Sequence, residues 1–225
     1  MAQGDAFYLK RGDWSVLVDG RRNRPGFQSL FQNATSEKRA NILVCTHNDA
    51  DHANGILGFL EAGLHCDEVW LPGRWLEALP KILRPFVEVL DELVGNIDKA
   101  EWPLKEMQPG ISPIEVYADH LQDPIGDNHL GNNELAIGEN GWPESYIQML
   151  EQTEDWGFSP TFCSLPHYDD KGYLRHLYLG QNKLQLLCSA IDAASRIRTI
   201  AIQSFHLSIP VRWFEFDPHN PRGGH

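Results

Sequence analysis

The apolar run Ile42-Leu43-Val44-Cys45 passes through Thr46 straight into His47-Asn48-Asp49-Ala50-Asp51-His52, which packs four metal-ligating side chains into six positions. A short continuous apolar run bounded by polar residues reads as a buried strand, and the hexapeptide lies at its carboxyl end. Downstream, Asn54 is placed to cap a helix that carries Ile56, Leu57, Phe59 and Leu60 and stops at Gly63. Asp67 to Leu71 then reads as the next strand, closed by Pro72-Gly73. Strand, polar loop, helix and strand make a βαβ unit with an expected right-handed crossover. The chain is therefore expected to be of the α/β class.

Other segments are consistent with that class. Residues 6–10 and 14–19 read as a hairpin turning at Arg11-Gly12-Asp13, and a short helix is expected over 27–33. Apolar residues recur at helical spacing from Trp75 to Ile97, with Pro80 and Pro85 expected to divide the run into two pieces. A strand over 114–117, a helix over 143–156, a long amphipathic helix over 184–207 and a strand over 209–216 complete the reading. Residues 217–225 are polar and turn-like.

At 225 residues, one large domain is expected. No apolar stretch reaches the roughly 18 to 20 residues that span a bilayer, and the N-terminus has no basic segment followed by an apolar one. A cytoplasmic protein with no membrane partner is expected. Cys45, Cys66, Cys163 and Cys188 are too scattered for a zinc knuckle and too few for a disulfide scaffold, so they are read as buried small hydrophobes. The net charge of −12 argues against a general nucleic-acid-binding surface. It leaves room for a nuclease, because bound divalent ions would set the local charge of a cleft. Arg21, Arg22 and Arg24 are the one tight basic cluster near the hexapeptide.

A hydrolytic metal site needs neutral imidazoles and carboxylates converging on one or two cations with a position left open for water. A loop leaving a strand can fold His47 and Asp49 toward one ion and Asp51 and His52 toward a second. The carboxylates make the set harder than an all-histidine one, so manganese competes with zinc. The plain alternative is a polar turn in which Asn48, Asp49 or Asp51 caps the following helix. Capping needs one such residue, and this loop supplies four ligands. A calcium loop fits less well, since the Gly and terminal Glu of an EF-hand are missing.

The hairpin ending in Leu17-Val18-Asp19-Gly20, the segment Thr46-His47-Asn48-Asp49-Ala50-Asp51-His52, the Asn-Gly-Ile-Leu helix and the strand Glu68-Val69-Trp70-Leu71-Pro72 together resemble the N-terminal half of the metallo-β-lactamase fold. The usual signature is His-x-His-x-Asp-His. Here Asp49 stands in place of the second His, a variant that resembles the branch containing the hydrolase domain of bacterial DNA-uptake competence channels. The likeness covers residues 6–72 and fades beyond them. It implies an αββα sandwich, incomplete in these 225 residues, forming one domain over 1–225 with a helical insertion at about 74–207. It also implies two divalent ions, zinc or manganese, held by His47 and Asp49 and by Asp51 and His52. Asp51 would in addition orient the attacking water, and Asp19 would at most shape the loop or support a ligand from behind.

The family completes its site with a third His, a bridging Asp and usually a last His, but neither a Thr-Gly-Asp nor a His-His-Gly stretch occurs here. The remaining candidates are His120, His129, His167, Asp169, Asp170, His176 and His206, with His167 the most ligand-like and His206 placed to meet the carbonyls ending its helix. The resemblance therefore implies a metal-dependent phosphodiesterase or nuclease with a nucleic-acid substrate. A continuation or separate chain would supply the rest of the fold, in a defence or DNA-processing role that a protease cutting near the polar end could regulate. The alternative is a catalytically incomplete interaction module, for which Trp142, Trp156 and Trp213 are candidate contact residues.

Overall fold

The structure is a computed structural model that describes residues 5–99, 136–153, 156 and 181–215, with the side chains of 97–99 and 181–185 left aside. It is mixed α/β, with five strands and six helices among the described residues. The strands are β1 (Phe7–Arg11), β2 (Trp14–Val18), β3 (Arg39–Val44), β4 (His65–Pro72) and β5 (Val211–Phe214). The helices are α1 (Phe27–Thr35), α2 (Ala50–Glu61), α3 (Arg74–Ile82), α4 (Phe86–Lys99), α5 (Glu144–Gln152) and α6 (Gln181–His206). The expected strand over 114–117 lies outside the described residues. No helix among them is long and apolar enough to cross a membrane.

The chain divides into two compact units, one of Met1–Leu83, Leu135–Thr153 and Arg196–His225, the other of Arg84–Glu134 and Glu154–Ser195. The first contains a single sheet of order β1-β2-β3-β4-β5, antiparallel between β1 and β2 and parallel from β2 onward. Strand pairing aligns Leu17, Leu43, Val69 and Val211 across four strands. All four are buried, and burying each aliphatic side chain contributes about 1.5–3 kcal/mol. Tyr8 is paired with Leu17 and so shares that side, where its ring meets Phe31 of α1 edge-on at 5.5 Å, while Phe31 meets Phe59 of α2 at 5.4 Å. Both α1 and α2 therefore cover this side. The strand residues of opposite parity include Phe7, Leu9, Trp14 and Trp70, which are 58%, 63%, 58% and 37% exposed. The large apolar strand residues left open to solvent thus gather on the side facing away from α1 and α2.

Several boundaries differ from expectation for identifiable reasons. α2 begins at Ala50, inside the hexapeptide, and its capping position is Asp49 rather than Asn54. The Asn54 amide instead donates to the Arg22 carbonyl at 3.2 Å. The break between α3 and α4 falls at 83–85, which assigns it to Pro85, whereas Pro80 is accommodated within α3. Proline has no N–H to give the carbonyl four residues earlier, and the Leu76 carbonyl accepts from the Tyr146 hydroxyl at 3.1 Å instead. Trp142, Trp156 and Trp213 are packed rather than exposed. Trp142 is buried and meets Trp213 at 5.5 Å, the Trp213 indole donates to the Gly141 carbonyl, and the Trp156 indole donates to the Arg84 carbonyl.

In the second unit, Leu90 of α4 and Leu186, Leu187 and Ile191 of α6 form a cluster to which Phe86, Leu93 and Val94 add. Phe86 meets Trp156 edge-on at 5.3 Å, and Arg84 pairs with Glu92. Cys188 is disulfide-bonded, which corrects its reading as a free buried thiol, and Cys163 lies outside the described residues.

Cys45 and Cys66 are free and buried as expected. Burial first, with the nearby Asp67 carboxylate second, pushes the Cys66 thiol up to about 12, and burial likewise holds Cys45 well above the ordinary thiol range. Both thiols stay protonated in the folded chain at a pH where the unfolded chain ionises. Their contribution is intact below the unfolded thiol pKa and is lost as pH rises above about 9 toward 12. The urea midpoint is expected to fall from about pH 9 upward, and less steeply in Cys66→Ala. Parallel slopes in the two proteins would contradict this.

Candidate metal centre

The carboxyl ends of β2 and β3 bring Asp19 and the hexapeptide together. The Asp19 amide donates to the Val44 carbonyl at 2.9 Å, extending the parallel ladder by one bond. Asp19 then turns into the left-handed region at φ 57, where Asp is better tolerated than most residues. This turn aims its carboxylate back at the strand it has just left. Oδ1 accepts from the Thr46 amide at 2.8 Å, and Oδ2 accepts from the Thr46 hydroxyl at 2.7 Å and from His52 Nδ1 at 2.9 Å.

The next residues press this turn onto α2. The Gly20 amide donates to the His52 carbonyl at 2.8 Å, and the Gly55 amide donates to the Arg21 carbonyl at 3.0 Å. A Cβ on Gly55 would lie 1.7 Å from the Gly20 carbonyl oxygen, so the two backbones touch in a way only glycine permits. On its far side the hexapeptide is held by Arg196, whose Nε donates to the Asn48 carbonyl at 2.6 Å, and Asn48 is buried. Of the basic cluster, Arg24 is committed to an ion pair with Glu61, its Nε donating at 2.9 Å.

Of the four ligand candidates, His47 and Asp49 lie on the loop that ends at the cap of α2, and Asp51 and His52 lie in its first turn. His47 and His52 lie side by side, ring centroids 3.7 Å apart. His47 Nε2 is 3.7 Å from Asp49 Oδ2, and His52 Nε2 is 3.8 Å from Asp51 Oδ2. Both separations exceed hydrogen-bond length, so each carboxylate faces a ring nitrogen without bonding to it. Asp49 makes no side-chain capping bond to α2, so its carboxylate does not serve the role that a polar turn would give it. Two donors each about 2.1 Å from one ion lie roughly 3 to 4 Å apart, and both pairs fall in that range. The donor set thus fits a divalent cation.

Asp19, His47 and His52 are the one group of three or more among the described residues whose ligand atoms all lie within 4.8 Å of each other. Asp19 differs from the other carboxylates in being closed off. Its side chain is 6% exposed and already accepts three hydrogen bonds, while that of Asp49 is 37% exposed and Asp51 is similarly open. His120, His129, His167, Asp169, Asp170 and His176 lie outside the described residues. His206 is exposed in the last turn of α6, its ring 6.0 Å from that of Phe205. Sequence reasoning underrated Thr46, whose hydroxyl touches both Asp19 and His47 Nδ1. The only signal for it was its place immediately before the first histidine. No protein-family model, curated protein or solved structure matches the chain.

Proposed function

We propose that the chain is a divalent-metal-dependent hydrolase of the metallo-β-lactamase type that cleaves phosphodiesters, with nucleic acid as the substrate class. The observation that carries this is the pairing of each histidine Nε2 with a carboxylate oxygen at 3.7–3.8 Å, beyond the carboxyl ends of the parallel strands β2 and β3. His47 and Asp49 would hold one ion, and Asp51 and His52 the other. Zinc or manganese there would supply Lewis acidity and lower the pKa of water toward neutrality. The chain itself places two carboxylates at the positive end of α2, where the helix dipole favours negative charge and would also favour a phosphate. The resemblance of residues 6–72 to the competence-channel-like branch supports phosphodiester over lactam chemistry.

The test is degradation of plasmid DNA by the zinc- or manganese-loaded protein beside His47→Ala and Asp51→Ala. Each variant is expected to lose about a hundredfold or more in rate, and equal activity in all three would sink the proposal. A second reading, an interaction module that has kept the fold without catalysis, is favoured by the exposed apolar side chains of Phe7, Leu9, Trp14 and Trp70 on one side of the sheet. Such a surface suits a covering layer, whether a continuation of the fold or a separate chain. Less than one bound ion per chain by mass spectrometry, together with no cleavage, would select it.

A further inference from the structure

We infer that Asp19 and Thr46 are positioning residues that set the tautomer of both histidines, fixing each with its proton on Nδ1 and its Nε2 lone pair toward the cation. The inference rests on the metal reading above and concerns what holds the ligands ready before any ion arrives.

The assignment follows from counting protons. An ionised carboxylate only accepts, so the His52 Nδ1 at 2.9 Å from Asp19 Oδ2 must carry the hydrogen. The Thr46 hydroxyl has one proton and lies 2.7 Å from that same acceptor oxygen, so it donates to Asp19. Its oxygen then has only lone pairs to offer His47 Nδ1 at 2.8 Å, and that nitrogen must be the donor. A single buried carboxylate thus dictates His52 directly and His47 through one hydroxyl. Both Nε2 atoms are left bare, and they are the atoms that face Asp49 and Asp51. A ligating imidazole is oriented and made more basic by a partner on its other nitrogen. Here both rings draw that partner from one source.

The probe is zinc, and the protein is the full chain. Nitrogen NMR of histidine-labelled, metal-free protein reads the tautomers at a pH of about 8, where an ordinary imidazole is neutral; peaks are assigned with His47→Gln and His52→Gln. Zinc affinity is read by competition with a chromophoric chelator. Wild type is expected to show the Nδ1–H form at both rings. Thr46→Val, close to isosteric, is expected to mix the tautomers of His47 alone, and Asp19→Asn, whose amide can donate, to shift His52 toward Nε2–H. Each should weaken zinc about 10- to 100-fold, and Thr46→Ser, which keeps the hydroxyl, should restore both readouts. An Nε2–H form at either ring of wild type, or a Thr46→Val protein with unchanged tautomers and zinc affinity, overturns the inference. If wild type takes up no zinc while its tautomers respond as stated, the positioning stands and the metal reading falls.

Discussion

Gly55→Ala is expected to destabilise the fold by about 3 kcal/mol or more and to take the histidine pair apart with it. The added methyl would lie 1.7 Å from the Gly20 carbonyl oxygen and 2.2 Å from its carbon. Both are backbone atoms, so no side-chain rotation relieves the overlap, and either α2 or the turn after β2 must withdraw. Withdrawal stretches the Gly20-to-His52 and Gly55-to-Arg21 hydrogen bonds and draws Asp19 away from His52 Nδ1. Gly95→Ala, in α4, is the contrast: nothing lies within 4 Å of its Cβ position, and the substitution should stabilise by about 0.5–1 kcal/mol. Urea unfolding of the two variants separates a packing effect from loss of glycine as such. A Gly55→Ala protein within about 1 kcal/mol of wild type would refute the close-contact argument.

The second large effect is expected at Asp19→Ala, at about 4 kcal/mol. Removing the carboxylate strands three donors, the Thr46 amide, the Thr46 hydroxyl and His52 Nδ1, around a buried position whose histidine and threonine partners are themselves half-buried. Each buried donor without a partner costs about 1–3 kcal/mol. The backbone adds to this, because φ 57 suits Asp and Asn better than Ala. Asp19→Asn keeps both the conformation and an acceptor, so its loss should be well under half that of Asp19→Ala. Chemical denaturation of both proteins, followed by intrinsic tryptophan fluorescence, checks the order. An Asn variant as damaged as the Ala variant would mean that charge, rather than bonding capacity and backbone conformation, dominates at this position.

The βαβ unit around the hexapeptide was legible because a four-residue apolar run, a helical apolar stripe and a second strand each carry their own period. The cap of α2 was misplaced by five residues, at Asn54 instead of Asp49, because Asp49, Asp51 and His52 look like loop, and Asn54-Gly55 looks like a turn. Gly55 is in the helix because Gly20 lies against it, a tertiary reason that no local window contains. Asp19 was noticed as the end of a strand, but its bond to His52 joins residues 33 positions apart and depends on a backbone reversal that a side-chain pattern does not encode. The tryptophans failed for a similar reason. Trp142 and Trp213 cover one another across a long sequence separation, while Trp14 and Trp70, on the side of the sheet facing away from α1 and α2, carry no mark that sets them apart. Pro80 was read as a breaker because its rescue by the Tyr146 hydroxyl comes from a distant helix.

The parallel pairing of β4 with β5 has a consequence for synthesis. β4 ends at Pro72 and its partner begins at Val211. At about 5–20 residues per second, a ribosome needs on the order of ten seconds to make the chain between them. Throughout that interval the nascent sheet lacks its last strand, and the β4 backbone that will bond to Pro210 and Val211 has no native partner. An unpaired apolar edge is the usual template for joining another chain. Fast translation and chaperone capture are therefore expected to govern the yield of correctly folded protein more than its final stability does.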